Sequence, residues 1–224
     1  MNTMVSKIVN YDATAPRART SLLVSDNFDR ADYCFGASRP ECPYTGFSDD
    51  LQSSSLTPNG VTTTRVSRPD GGAGDAAAKA AVISGANAGP VIVNWFGHGA
   101  FTSWNGSPQL LNGADAAGMT NTNALSVYLM MTCQTGYFVA TTFNGLGESL
   151  LLAPNAAVAI WGSTGDTVPF DQVAAAKVAT SELFGASPKR LGDAMVDAKN
   201  AINDLDVMHT WALLGDPTMK LRIS

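Results

Sequence analysis

Two short apolar runs constrain the fold of this 224-residue chain most strongly, because each ends at a residue suited to acid–base or nucleophilic chemistry. The first run, VIVNWF at 91–96, is followed by Gly97-His98-Gly99, and the second, SVYLMM at 126–131, is followed by Thr132-Cys133. Neither run alternates polar with apolar residues. Their length and their β-branched and aromatic content are typical of strands buried on both faces of a sheet.

We predict that these two strands are parallel neighbours, since the stretch from His98 to Cys133 is long enough for the crossover connection that parallel pairing needs. Neighbouring strands lie about 4.8 Å apart, and open α/β sheets bind ligands beyond the carboxyl ends of their strands. His98 and Cys133 are therefore predicted to face each other as a catalytic dyad. The alternative for each residue is structural: a buried cysteine acts as a small apolar side chain, and a histidine beside glycine bonds a loop carbonyl.

The rest of the chain alternates strand and helix patterns, which predicts an α/β protein with a mainly parallel sheet covered on both faces. The predicted strands are 21–25, 61–66, 156–161 and 219–223, and the predicted helices are 75–85, 146–152, 170–184 and one that starts at the N-cap Ser187. A short helix near 48–53 and a helical turn near 107–111 are also expected. Residues 1–20 are predicted to be a lead-in segment with at most a short amphipathic turn, and residues 21–224 a single catalytic domain.

Composition excludes several classes of partner. The hydrophobic content of 45% is ample for a core, whereas the net charge of −5 and the lack of a basic cluster argue against nucleic-acid binding. The longest apolar runs are far shorter than the roughly 20 residues that span a bilayer. The first ten residues lack the apolar core and cleavage site of a signal peptide. We therefore expect no membrane span and no signal peptide in this chain.

The residue types at the two strand ends suit acyl transfer. A thiol with its free pKa of about 8.5 is only a few per cent ionised at neutral pH, so it needs a neighbouring base such as His98. Gly99 has no side chain, which lets a substrate carbonyl approach its backbone N–H. Together with the N–H of Cys133, that amide is predicted to form an oxyanion hole.

Other motifs are absent or incomplete. No CxxC, HxxxH or HExxH pattern occurs, so we predict no metal site and no required cofactor. The glycine run at 71–74 lacks the lysine of a phosphate loop, and no GxSxG elbow is present. Cys34 and Cys42 lie in one loop-like stretch and form either a local disulfide or a pair of free thiols, which leaves Cys133 unpaired. His209 is interpreted as structural.

Five segments follow one another in an order and spacing similar to the motif series of the gingipain family of cysteine peptidases. They are NWFGHG at 94–99 with Trp104, MTCQTGYF at 131–138, GESL at 147–150, IWGST at 160–164 and LLGDP at 213–217. The resemblance covers roughly residue 21 to the C-terminus. It implies a three-layer α/β/α caspase-like fold, endopeptidase activity, His98 as the catalytic histidine and Cys133 as the nucleophile, with the Gly99 and Cys133 amides as oxyanion hole.

The resemblance also implies residues around this dyad. Family members use an upstream acid to orient the imidazole; Glu41 is the predicted acid, with Asp26, Asp49 and Asp50 as alternatives. The primary pocket would be lined by Phe96, Gly99, Met131 and the segment 163–170, with Asp50 or Asp166 as the acid that receives a basic side chain. The chain departs from the family where a tryptophan is expected after Ser163-Thr164, since Val168-Pro169-Phe170 stands in that region. The residue preferred before the scissile bond is therefore left open.

Location and partners follow from the same resemblance. It implies a polypeptide substrate and a secreted or cell-surface location, and it allows a structural calcium ion in Asp-rich loops. Two alternatives keep the fold but change the function. One is a transpeptidase or ligase that uses the same dyad, and the other is a catalytically inactive peptide-binding domain.

Overall fold

The structure is a computed structural model that describes residues 2–27, 29–30, 41–42, 44–69 and 73–224; for residues 2, 29, 30, 41 and 42 it describes the backbone alone. In chain order the strands are β1 (Thr20–Ser25), β2 (Asp29–Arg30), β3 (Glu41–Cys42), β4 (Thr62–Ser67), β5 (Ile92–Phe96), β6 (Gly99–Ala100), β7 (Ser103–Trp104), β8 (Ser126–Met131), β9 (Ala157–Ser163) and β10 (Trp211–Leu214). The helices are α1 (Asn2–Ala13), α2 (Tyr44–Leu51), α3 (Asp75–Asn87), α4 (Gly113–Ala117), α5 (Leu146–Leu152), α6 (Pro169–Phe184), α7 (Leu191–Asn200) and α8 (Leu205–Thr210).

Six of the strands form one sheet in the order β10-β9-β8-β5-β1-β4. Every neighbouring pair is parallel except β10 and β9, which are antiparallel. The predicted parallel pairing of the two apolar runs is confirmed, because β5 lies beside β8. All residues of β5, β8 and β9 are buried, which explains why these strands lack polar alternation. The polar strand β4 forms one edge.

Helices cover both faces of this sheet, which confirms the predicted three-layer α/β/α architecture. One face packs against α2, α6 and α7 through a core that includes Phe47, Leu183 and Met195. The other face packs against α3, α4 and α5, with the stacked pair Trp95 and Trp104 in its core. Side chains of successive strand residues alternate between these two cores.

The N-terminal segment is more ordered than the sequence pattern predicts. Instead of a short turn, residues Asn2–Ala13 form the 12-residue helix α1, which packs against α5 and β9. The buried Lys7 explains the attachment, since the three N–H groups of its ammonium are shared among four carbonyl oxygens, those of Leu150, Leu151, Ala153 and Asn155, at 2.8–3.2 Å. Lysine therefore satisfies carbonyls at the end of α5 that have no partner within the helix.

Two expectations near the C-terminus are wrong. Residues 219–223 do not form a strand; Ile223 makes an isolated bridge with Arg17, and the last strand of the sheet is β10 instead. The helix predicted from Ser187 begins at Leu191. The N–H groups of Leu191 and Gly192 donate to the carbonyls of Met219 and Pro217, so the chain returning from β10 satisfies the first turn of α7, and no local capping residue is needed.

Two further local expectations differ from the structure. Residues 107–111 form turns rather than a helical turn, and the helix of this region is α4, capped by the Asn112 side chain with the reciprocal bond from Asp115. α3 continues through Gly85 to Asn87. Gly85 lies against Leu22, and a Cβ at this position would be only 2.9 Å from a methyl group of Leu22. That glycine serves helix–sheet packing and does not end the helix.

Candidate active site

The register of β5 and β8 brings His98 and Cys133 to equivalent positions. Phe96 and Met131 are direct partners in the parallel ladder, and each candidate catalytic residue lies two residues beyond its partner. Both side chains are half-buried. The loop that carries Cys133, residues 132–136, is called the Cys133 loop. It is held toward β9 because Gln134 N–H donates to the Gly165 carbonyl at 3.0 Å. Gln134 has a left-handed backbone (φ 61°), unusual for a residue with a side chain, which turns the chain sharply after Cys133.

Gly99 lies directly against the backbone of Cys133. A Cβ added at Gly99 would lie 2.6 Å from Thr132 Oγ1, 2.8 Å from the Cys133 carbonyl oxygen and 2.8 Å from Thr135 Cγ2. Because two of these atoms belong to buried, β-branched side chains and one to the backbone, a side chain does not fit there without a shift. The Gly97-His98-Gly99 segment and the loop that carries Cys133 are therefore in contact.

The Gly99 amide points away from its own hairpin. Asn105 N–H donates to the His98 carbonyl at 3.0 Å. Hydrogen-bonded and non-hydrogen-bonded pairs alternate along an antiparallel ladder, so the next pair, Gly99 and Trp104, is a non-hydrogen-bonded pair. Consistently, Trp104 N–H donates outward to Leu111 O at 2.9 Å. In the part of the chain that the structure describes, the Cys133 N–H likewise donates to no acceptor. Neither of the two amides predicted for the oxyanion hole is therefore used in these backbone hydrogen bonds.

The thiol of Cys133 lies against Thr167. The Thr167 carbonyl accepts from the thiol and the Thr167 N–H donates to the sulfur, both at 3.5 Å. Gln172, in the first turn of α6, donates a hydrogen bond from its Nε2 to Oγ1 of Thr167 at 2.8 Å. Burial raises the pKa of Cys133 above its ordinary value, bonds with Thr167 lower it by less, and the negative charge of Asp166 raises it again. The resting thiol is therefore protonated at neutral pH.

The imidazole of His98 lies beside an aromatic cluster. Tyr44, the first residue of α2, places its hydroxyl 3.3 Å from His98 Nε2, with the two rings edge to face at a centroid distance of 5.6 Å. Tyr44 in turn packs against Phe47, which contacts Phe96 and Phe170. Tyr44 could not be predicted from the sequence, because α2 lies between segments without a recognisable pattern. Its hydroxyl is suited to hold the imidazole in one orientation.

The predicted acids have different surroundings. Asp50 pairs with Lys177 at 3.0 Å on the surface of α2 and α6, and Asp49 pairs with Arg65. Asp26 is fully buried and accepts a hydrogen bond from the backbone N–H of His98 at 3.2 Å. Glu41 lies in β3, and its side chain is outside the described residues.

The predicted pocket residues also separate into two groups. Phe96 and Met131 are 1% and 0% exposed, so they belong to the core beneath the site and offer no surface to a substrate. Asp166 is exposed, follows β9 and accepts from Gln134 Nε2 at 2.9 Å. Together with its effect on the thiol, this places Asp166 beside Cys133.

Other expectations concern metals, cysteines and membranes. Among the described residues, no group of three or more His, Cys, Asp or Glu side chains is arranged to hold a metal ion. Cys133 is a free thiol, while Cys34 and the Cys42 side chain, and hence the choice between a disulfide and two free thiols, lie outside the described residues. No described helix is both long and apolar enough to cross a bilayer.

A mainly parallel sheet between two helical layers, with a cysteine and a histidine at the carboxyl ends of two central strands, defines a protein of the caspase-like α/β/α class. The family model of peptidase family C25 matches residues 1–222, and the chain therefore belongs to that family. No curated protein sequence matches it.

Solved structures show the same fold. The Arg-specific cysteine proteinase gingipain R has a TM-score of 0.79 at 20% identity, over 98% of this chain and 52% of its own. The complex of the pro- and mature domains of RgpB from Porphyromonas gingivalis gives 0.77 at 18%, over 99% and 53%. Caspase-1 from Spodoptera frugiperda gives 0.53 at 11%, over 90% and 88%. At these identities the likeness shows the fold, and the chain spans about half the length of the two gingipain structures.

Proposed function

We propose that this chain is a cysteine endopeptidase that hydrolyses peptide bonds through an acyl-enzyme on Cys133, with His98 as its base and acid. The observation that carries the proposal is the contact of Gly99 with the Cys133 backbone. Because Gly99 directly follows His98, this contact supports a base and a nucleophile close together, as acyl transfer requires. Membership of peptidase family C25 supports the same chemistry.

The proposed reaction has two halves. In the first, the Cys133 sulfur attacks the carbonyl carbon of the scissile peptide while the thiol proton passes to His98, and His98 then protonates the departing amine as the C–N bond breaks. In the second, His98 takes a proton from water as the oxygen attacks the thioester carbonyl, and His98 returns that proton to the sulfur as the C–S bond breaks, which regenerates the thiol. Each half needs one base and one acid, and a single imidazole supplies both.

The raised pKa of Cys133 decides how the dyad starts. A thiol that is neutral at rest does not form a thiolate–imidazolium pair before substrate arrives, so proton transfer to His98 accompanies the attack. Negative charge then develops on the substrate oxygen. The amides of Gly99 and Cys133 are the proposed donors to this oxygen, and each such donor is commonly worth about 2.7–4 kcal/mol of the barrier.

Asp166 is the proposed acid of the specificity pocket. It is exposed beside the Cys133 loop, whereas the alternative, Asp50, forms an ion pair with Lys177. A carboxylate in this position favours a substrate with a positively charged side chain near the scissile bond. Replacing Asp166 with Asn is expected to reduce the preference for Arg and Lys in a peptide library. An unchanged profile would remove Asp166 from the pocket.

The remaining roles follow from the family. Glu41 is proposed to orient the imidazole, and Glu41→Gln is expected to lower kcat without changing the cleavage preference. The substrate is proposed to be a polypeptide, and the protein is proposed to act outside the cell or at its surface.

The decisive experiment is cleavage of a fluorogenic peptide library by the purified chain and its variants. Cys133→Ala and His98→Ala are expected to abolish cleavage, because removing either partner removes the nucleophile or its base. His209→Gln is the matched control, since the other histidine of the chain is exposed and far along the sequence. Cleavage that survives Cys133→Ala would refute the proposal.

Product masses separate the alternatives that share this fold. Hydrolysis gives a free carboxylate on the acyl fragment, and an added amine that replaces it in most products would indicate a transpeptidase. A binding domain would bind peptide without cleaving it and would still bind after Cys133→Ala.

A further inference from the structure

The buried carboxylate of Asp26 lies underneath the segment Gly97-His98-Gly99. Asp26 follows β1 at the carboxyl edge of the sheet, is 0% exposed, and donates its own N–H to the Phe96 carbonyl at 2.7 Å. Its two carboxylate oxygens accept four hydrogen bonds. Oδ1 accepts from Asn27 N–H at 2.9 Å and from Arg68 Nη1 at 3.0 Å, while Oδ2 accepts from His98 N–H and from Asn105 Nδ2, both at 3.2 Å.

Arg68 forms an ion pair with this buried carboxylate at 3.0 Å. Its guanidinium also forms a bidentate pair with Asp75 at 2.7 and 2.8 Å, and Asp75 is 0% exposed. Buried charges persist only when they are paired and hydrogen-bonded. The bidentate bond to Arg68 holds the pKa of Asp75 below its usual value. One guanidinium thus ties the end of β4 to the start of α3 and to Asp26.

Both main-chain polar groups of His98, its N–H and its carbonyl, are fixed through this cluster. The N–H donates to Asp26, and the carbonyl accepts from Asn105 N–H at 3.0 Å, while the Asn105 side chain binds the same Asp26 oxygen. Gly97 permits the close approach, since a Cβ there would lie 2.3 Å from Trp95 Cζ2 and 2.6 Å from Asp26 Cβ. The bonds reach the main chain of His98, which distinguishes this role from that of an acid orienting the imidazole.

We propose that Asp26, ion-paired to Arg68 and Asp75, is a positioning residue that fixes the main chain of His98 over the Cys133 loop. The inference rests on the proposed function, because it concerns the base of that dyad. Its physical basis is that the backbone position of His98 sets where the imidazole can reach. A misplacement of about 1 Å in a reacting group costs up to about a hundredfold in rate.

Asp26→Asn tests this role without leaving a cavity. An amide has the shape of the carboxylate, but its NH₂ must face one of the two donor pairs, either Arg68 with Asn27 or His98 with Asn105. The variant therefore cannot hold both halves of the cluster. We expect kcat to fall about tenfold or more with KM within about twofold of wild type, because substrate contacts are unchanged. Asp115→Asn in α4 is the matched control, since it also loses a partly buried ion pair, with Lys79 of α3.

A second readout does not depend on catalysis. The chain holds two histidines, so His209→Gln assigns the imidazole C–H resonances in an NMR spectrum of histidine-labelled protein. The His98 resonance is expected to shift or broaden in Asp26→Asn but not in Asp115→Asn, while the His209 resonance stays in place. If the wild-type chain cleaves no peptide, the proposed function fails, and the NMR comparison still tests the position of His98.

The two readouts must agree. A folded Asp26→Asn protein with wild-type kcat, or one whose kcat falls while the His98 resonance stays unchanged, would overturn the inference. If Asp26→Asn does not fold, Asn105→Ala takes its place, since it removes one donor to Asp26 and is expected to change both readouts in the same direction by a smaller amount. Unchanged readouts in a folded Asn105→Ala protein would also overturn it.

Discussion

Gly99→Ala perturbs the candidate site at the point where its two halves touch. The new methyl group would lie 2.6–2.8 Å from Thr132 Oγ1, the Cys133 carbonyl oxygen and Thr135 Cγ2. Thr132 and Thr135 are 1% and 0% exposed, so neither side chain can swing into solvent. The hairpin that carries His98 must therefore move away from the Cys133 loop by a substantial fraction of an ångström.

The expected loss follows from what that movement separates. The Gly99 amide leaves its position relative to the Cys133 amide, and loss of one oxyanion donor typically lowers kcat by about 10²–10³, equivalent to about 2.7–4 kcal/mol. Displacement of the neighbouring His98 adds to the loss. Overall stability should change less, because the collision is relieved at the edge of the sheet and not within the two cores.

The assay compares kcat for peptide cleavage in wild type, Gly99→Ala and a control. Gly118→Ala is a suitable control, because a Cβ at Gly118 would meet its nearest atom at an ordinary 3.5 Å. We expect wild-type kcat in the control and a loss of at least a hundredfold in Gly99→Ala, with thermal midpoints of all three within a few degrees. A folded Gly99→Ala protein that keeps more than a third of wild-type kcat would refute the assignment of Gly99 to the oxyanion hole.

Three shorter predictions concern residues around the dyad and the N-terminal helix. Asp166→Asn should lower the pKa of Cys133, because it removes a negative charge that raises it; iodoacetamide should then alkylate Cys133 faster at neutral pH, and a slower rate would contradict this. Tyr44→Phe should lower kcat/KM about two- to tenfold, since a hydrogen bond to His98 contributes about 0.5–1.5 kcal/mol; no change would assign the hydroxyl to packing. Lys7→Met should reduce the free energy of unfolding in urea by about 2–4 kcal/mol, because four carbonyls lose their donor; a loss below about 0.5 kcal/mol would show that water replaces the ammonium.

Buried strands and well-isolated helices were predictable from sequence for a physical reason. The bounds of β8 and α5 match the predicted 126–131 and 146–152, because an uninterrupted apolar strand and a helix beginning after Gly145 are defined by their own residues. The start of α7 was not predictable. Its first N–H groups donate to carbonyls of Pro217 and Met219, and no local sequence signal reports a partner so distant in the chain.

The same distinction holds for the candidate site. The sequence predicts that His98, Gly99 and Cys133 lie at one edge of the sheet, because they follow two recognisable strands, and the parallel register of β5 and β8 agrees with that placement. Tyr44 and Thr167 were missed, since a tyrosine hydroxyl and a main-chain amide carry no motif. Asp26 was considered as an acid for the imidazole, whereas its bond reaches the His98 main chain. Its partner Arg68 comes from the end of β4, and only the β1–β4 pairing brings them together.

In the proposed mechanism the raised pKa of Cys133 makes proton transfer to His98 necessary, so activity should depend on where His98 is held. His98 precedes β6 and β7, strands of two residues each, and a hairpin that short is not stable alone. Its position therefore comes from contacts with the sheet, including the contact of Gly97 with Asp26. Gly97→Ala should lower kcat and slow alkylation of Cys133 at neutral pH, where the base is needed. At strongly alkaline pH the thiol ionises without a base, and the variant should react as fast as wild type. Slower alkylation at both pH values would instead indicate that the substitution distorts the Cys133 loop itself, and the claim that Gly97 acts through His98 would fail.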